Sequence, residues 1–186
     1  QVLFHYNNCF MHNTLLKQFI LPFWSICTLS KGPQVLPVSG LLLAIVLIIN
    51  LFLDVVNLSI VVDANWVVIF MLSGTYSIGL IISLSAIMWV MKYQQRILQT
   101  LTALFGSGVI ISAFALPFLL MIRSSPDEPS IFSIFILAIN VWSLTVTAYI
   151  FRHALSVSLL LAWVLAFGYF LLGFKVTDLF IPQGVS

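Results

Sequence analysis

The sequence predicts an all-α, polytopic membrane protein, and composition and apolar runs carry that reading. Of 186 residues, 62% are hydrophobic and only 6% charged. An average soluble domain has roughly 45–50% and about 25%. Seven Lys and Arg with five Asp and Glu cannot cover a globule of this size, which argues against a water-soluble monomer. The second observation is five apolar stretches, each about as long as the roughly 20 helical residues a bilayer crossing needs. There is no Gly-X-Y period, polar low-complexity run or block of like charge, so collagen-like, disordered and nucleic-acid-binding chains are excluded. A net charge of +2, scattered along the chain, is too small to attract a polyanion.

Residues 1–13 carry no apolar period and are expected to lack structure, with Met11 a plausible initiator. Residues 14–30 are predicted to form an amphipathic helix in the cytoplasmic interface. Leu16, Phe19, Ile20, Phe23 and Cys27 recur at spacings of three and four, while Lys17, Gln18, Ser25 and Thr28 fall off that stripe. Pro22 interrupts it, and a helix over 14–29 reaches roughly 24 Å, short of a roughly 30 Å hydrocarbon core. A cleaved secretory signal is disfavoured because Trp24 stands where cleavage needs a small residue. Gly32, Pro33 and Pro37 punctuate the turn into the membrane domain, 38–174.

The five spans are predicted at about 39–60, 66–91, 98–122, 131–151 and 154–174. The second is uncharged and bracketed by Trp66 and Trp89, roughly 35 Å apart on a helix, one for each interface. Only Arg152 and His153 separate the last two spans. One continuous helix there would reach roughly 66 Å, about twice the hydrocarbon thickness, so the chain must turn back between Arg152 and Ser158. Lys17, Lys31, Lys92, Arg96 and Arg152 fall on one side of this layout, and Arg123 and Lys175 on the other. That bias puts the N-terminus in the cytoplasm and the tail 175–186 outside. Asp54, Asp63, Asp127, Glu128 and Asp178 all fall on the outer side.

No catalytic or metal-binding pattern is present: no His-Glu-x-x-His, phosphate-binding glycine loop, Gly-x-Ser-x-Gly or Cys-x-x-Cys. No enzyme, cofactor or metal is expected. His5, His12 and His153 read as solvated or headgroup-facing residues, and Cys9 and Cys27 make no disulfide framework. Asp54 is the one ionisable side chain inside a span, and a carboxylate there is a functional candidate by default. It either ends the apolar run at the outer interface or faces the bundle with Asn50, one turn earlier, as a proton or cation site. Asn140 is expected to hydrogen-bond a neighbouring helix. Ser73, Ser77, Gly79 and Ser83 in the second span, and Gly106, Gly108 and Ser112 in the third, are expected to let helices pack closely. Pro117 is expected to kink the third span.

Three local stretches carry a resemblance. Gly32-Pro33-Gln34-Val35-Leu36-Pro37 precedes the first span; Gln99 to Gly106, followed by Ala115-Leu116-Pro117, makes the third; Trp142-Ser143-Leu144 with Arg152-His153-Ala154-Leu155 makes the fourth and its return. Over about 30–175 the chain resembles the short bacterial members of the Yip1 family, of which the eukaryotic members act in vesicle trafficking. The resemblance implies five spans, an outside C-terminus and residence in a bacterial inner membrane. The expected function is therefore a non-enzymatic membrane protein acting as scaffold, partner subunit or membrane organiser. Its partners would be the lipid bilayer and other membrane proteins. The alternative is a small transporter or channel with Asp54 and Asn50 as its polar site.

Overall fold

A computed structural model describes residues 20–124 and 131–180, with side chains at 173, 174 and 176–180 excepted. The parts of the expected N-terminal helix before 20, the start 1–13 and the end of the tail lie outside the described residues. Helix α1 covers 20–27. It is followed by α2 (Gly40–Val61), α3 (Trp66–Val90), α4 (Ile97–Ser124), α5 (Ile131–Leu155) and α6 (Leu159–Phe180), with short 3-10 turns at Pro33–Val35 and Gln94–Arg96. The described residues contain no strand. Among the described residues, helices α2 to α5 are long and apolar enough to cross a membrane.

Local chemistry explains where these helices start and stop. Ser39 Oγ accepts from the Leu42 N–H at 3.3 Å, and Asn65 Oδ1 from the Val67 N–H at 3.3 Å, so each first turn has one of its free donors satisfied. The last carbonyls of α2, Ser59 and Ile60, accept from Arg123 Nη1 at 2.9 and 3.3 Å, which places a cation at the negative end of the helix. Three helices end on a left-handed residue other than glycine: Leu29 (φ 59°), Lys92 (φ 64°) and Ser156 (φ 53°). Beyond Leu29 and Lys92 the chain donates back to the helix carbonyls of Ser25 and Met88, the Schellman pattern that closes a helix. The return between α5 and α6 therefore occurs at 156–158 with neither Gly nor Pro.

Helices α2 to α6 form a closed ring in the order α2, α4, α5, α6, α3 and back to α2. One end of the ring carries Lys31, Lys92, Arg96, Arg152 and His153, and is called the basic end here; the other carries Asp63. Packing is uneven along the ring axis. The buried residues of α4 are Thr100–Ser107 and Ile111, those of α5 are Val146–Ala148, Ile150, Phe151, Ala154 and Leu155, and those of α6 are Ala162, Ala166 and Tyr169. All lie toward the basic end or the middle of their helices, whereas α3 is buried along its length, from Ile69 to Met88. At the basic end Leu84, Met88, Ile150 and Phe151 are at most 1% exposed and fill the ring.

Helix α1 departs from the interfacial placement read from the sequence. The stripe residues Phe23 and Cys27, joined by Ile26, are buried in protein, while Ile20, Leu21 and Trp24 are exposed. The Phe23 ring occupies the space a side chain at Gly106 would fill. Trp142 Nε1 donates to the Cys27 carbonyl at 2.9 Å, and Trp24 lies 6.0 Å from Phe114, centroid to centroid. Gly106 stands about 14 Å along α4 from Ile97, and Trp142 about 20 Å along α5 from Leu155, at 1.5 Å per residue. Helix α1 is thus docked level with the middle of α4 and α5, and Trp24 is not at the height of the basic end. The glycine slot and the indole N–H explain why: they supply an apolar seat and a donor for an α1 carbonyl, neither of which a headgroup layer offers in fixed geometry.

The turn at Pro33–Val35 then fastens the chain to the basic end. Gln99 Nε2 donates to the Leu36 carbonyl at 2.6 Å and Gln34 Nε2 to the His153 carbonyl at 3.3 Å. A Cβ at Gly32 would meet the His153 side chain at 3.2 Å. Gly32, Gln34, Leu36, Gln99 and His153, far apart in sequence, are therefore adjacent in the fold.

Candidate functional site

Helix α2 presents Asn50, Asp54, Asn57, Leu58 and Val61 on one face, because residues three, four and seven apart stack on a helix. That face looks into the ring. Asn50 Nδ2 donates to Asp54 Oδ2 at 2.9 Å, and Ser112 Oγ of α4 donates to Asp54 Oδ1 at 3.3 Å. Asn57 Nδ2 donates to the Ser112 carbonyl at 3.2 Å. The close approach of α2 to α4 needs Gly108, where a Cβ would stand 2.8 Å from Asn50 Oδ1. Asp54 thus faces the bundle with Asn50. Seven further residues of α2, roughly 10 Å, separate it from the helix end.

Cavities lie on both sides of this carboxylate. One of about 440 Å³ extends toward the Asp63 end and is lined by residues of all five ring helices, among them Asp54, Asn57, Ser73, Leu119, Asn140 and Phe170. A smaller one of about 130 Å³ lies toward the basic end, between Asn50, Asp54, Tyr76, Ser112, Thr147 and Tyr169. Below it the filled core closes the ring. The larger chamber is mainly apolar, with Leu58, Val61, Leu72 and Leu119 on its wall. Two of its lining residues, Asn57 and Ser73, each have an oxygen (Oδ1 and Oγ) buried within the protein without a hydrogen-bond partner.

The electrostatics are one-sided. Among the described residues, no Lys, Arg or His lines either cavity. Arg123, at the Asp63 end, is held by the α2 carbonyls and by Asp63 at 3.4 Å. An ionised Asp54 has only hydroxyl and amide dipoles for company. A charge in such surroundings calls for a proton or a cation. Among the described residues no group of three or more His, Cys, Asp or Glu could hold a metal ion.

The other residues singled out in the sequence divide. Ser73 and Ser77 are buried, 4% and 5% exposed, and Ser73 belongs to the chamber wall. Gly79 and Ser83 are half-buried, and Ser83 Oγ donates to the Leu80 carbonyl of its own helix. Gly106 receives Phe23 of α1 in place of another span. Asn140 corrects its expectation: it is exposed and donates 2.9 Å to the Ile136 carbonyl of its own helix. The amide turns back on its own turn instead of crossing to another helix. Helix α4 runs unbroken through Pro117, which leaves the Ala113 carbonyl without its usual donor.

Sequence reasoning passed over Asn57, Tyr76 and Tyr169. Asn57 had a signal, since it stands seven residues after Asn50 and three after Asp54. The tyrosines had none, because an aromatic in an apolar span reads as packing or as an interface belt. No family model matches the chain, and neither a curated protein nor a solved structure does.

Proposed function

We propose that this protein is a small membrane carrier that binds a cationic solute at Asp54, inside a chamber reached from the Asp63 end. One observation carries the reading: a carboxylate faces the ring interior beside a chamber of about 440 Å³, with no basic side chain among the described residues of its wall. Packing supports a direction. The ring is filled toward the basic end and open toward the other, the shape of a carrier with access from one side. The surplus of Lys and Arg at the basic end supports its facing the cytoplasm, so the chamber opens outward. The layout expected of a Yip1-like inner-membrane protein, non-enzymatic and five-span, is kept as the frame. The scaffold or partner-subunit role has only that resemblance behind it.

The test is uptake into proteoliposomes of a radiolabelled organic cation, with the imposed membrane potential as driving force. Expected is saturable uptake that Asp54→Asn abolishes while the thermal transition stays intact. Equal uptake by the wild type and Asp54→Asn overturns the carrier reading.

A further inference from the structure

Asp54 stands between two cavities of opposite character. The chamber toward the Asp63 end is mainly apolar, whereas the cavity of about 130 Å³ on its other side is walled as much by polar as by apolar atoms. All five ring helices contribute polar side chains to that wall: Asn50 and Asp54 from α2, Tyr76 from α3, Ser112 from α4, Thr147 from α5 and Tyr169 from α6. Their own hydrogen bonds turn three of them into acceptors. Ser112 Oγ donates to Asp54 Oδ1 at 3.3 Å and Thr147 Oγ1 to the Ser143 carbonyl at 2.9 Å, so each hydroxyl has only lone pairs left to offer. Asn50 Nδ2 donates to Asp54 Oδ2, and Asn50 Oδ1 lies beside Gly108, itself part of the cavity wall. A Cβ at Gly108 would stand 2.8 Å from that oxygen, and glycine has none to cover it.

A carboxylate among fixed oxygen acceptors suits a hard cation, and transition metals would look for softer ligands. Volume and charge narrow it further. The cavity is well under the roughly 300 Å³ at which organic-ligand pockets begin, yet it has room for an ion and a little water. A single carboxylate balances a single positive charge. A divalent ion would keep a net charge in a desolvated setting, and among the described residues no group of three or more His, Cys, Asp or Glu could hold a metal ion.

We propose, resting on the cation-site reading of Asp54, that this smaller cavity binds a monovalent inorganic cation of the sodium kind. The ion meets Asp54 from the side opposite the organic solute and neutralises it while the chamber is empty. Occupation of the two cavities is then alternative, because one carboxylate balances one charge, and the carrier exchanges one cation for the other.

The probe is radioactive sodium ion, titrated by scintillation proximity onto the full chain in mild detergent and a zwitterionic buffer. Expected is saturable binding that unlabelled sodium displaces at least about tenfold better than magnesium, which sheds its water reluctantly. Thr147→Val exchanges the hydroxyl for a methyl group of the same shape and breaks only a bond within α5. The empty protein should therefore keep its melting temperature while the sodium Kd weakens about fivefold or more. Tyr169→Phe should weaken it as well, and Asp54→Asn should abolish it. Absence of saturable sodium binding overturns the proposal, and so does an unchanged Kd in Thr147→Val and Tyr169→Phe together. Equal displacement by magnesium, or binding undiminished in Asp54→Asn, marks adsorption elsewhere and also overturns it. Organic-cation uptake that depends on Asp54 without any sodium binding sinks the ion site and leaves the carrier standing. Sodium binding lost in both Asp54→Asn and Thr147→Val, with no organic-cation uptake, upholds the ion site and sinks the carrier.

Discussion

The two ends of the ring obey different rules although the same helices build both. Toward the basic end, Leu84, Met88, Ile150 and Phe151 are at most 1% exposed and belong to one core cluster. Toward the Asp63 end, the same helices part around a chamber with the Asp54 carboxylate on its wall. Lipid tails are as apolar as leucine, so helices in a bilayer gain nothing from hiding leucines from water. Dispersion and close fit hold them together. The filled end thus carries the stability, and the open end retains polar groups that a stability-driven design would discard. An open region around a half-buried carboxylate is what the proposed ligand site rests on.

Truncation should separate the two halves sharply. Phe151→Ala is expected to cost about 3–5 kcal/mol, because a fully buried ring leaves a cavity the rigid surroundings cannot fill. Leu119→Ala, on the wall of an existing chamber, should cost under about 1 kcal/mol. Reversible unfolding in mixed micelles measures both, and equal losses would erase the distinction between the ends.

Gly106→Leu comes next. Phe23 must leave its seat, at a cost of about 1–3 kcal/mol, and α1 should detach while the ring persists. Cys27 reports this. It is 1% exposed, and burial pushes its thiol up to about 12, so at pH 8 the reactive thiolate is scarce. On a Cys9→Ser background, N-ethylmaleimide should spare Cys27 in the parent chain and modify it readily in Gly106→Leu. Rapid modification of the parent would mean that α1 is not docked.

The smallest effect is a gain. Ser156→Gly places glycine at a left-handed position, φ 53°, and should stabilise the α5–α6 return by about 1 kcal/mol. A loss of stability there would show that the Ser156 side chain has a role of its own.

The helices were legible because a hydropathy excess is written in every span, and the i to i+4 spacing of Asn50 and Asp54 placed both on one face. What was hidden has physical causes. Helix α3 is apolar all round, so nothing in its sequence tells which side looks inward. The seat of α1 depends on Phe23 meeting Gly106 across more than eighty positions, and a glycine in a span reads equally well as a helix-packing site. The return at 156–158 lacks Gly and Pro, so only the length limit of the bilayer revealed it. Asn140 looked like an interhelical bond from its depth, yet its amide turns back on its own turn.

The central claim, that Asp54 is a reachable carboxyl in a chamber without a basic neighbour, is tested most directly by dicyclohexylcarbodiimide. This apolar reagent converts membrane-embedded carboxyl groups to stable N-acylureas, and peptide mass mapping of reconstituted vesicles locates the adduct. Expected is one dominant adduct on Asp54, absent in Asp54→Asn. An Asp54 that stays unmodified while Asp63 reacts would contradict the site.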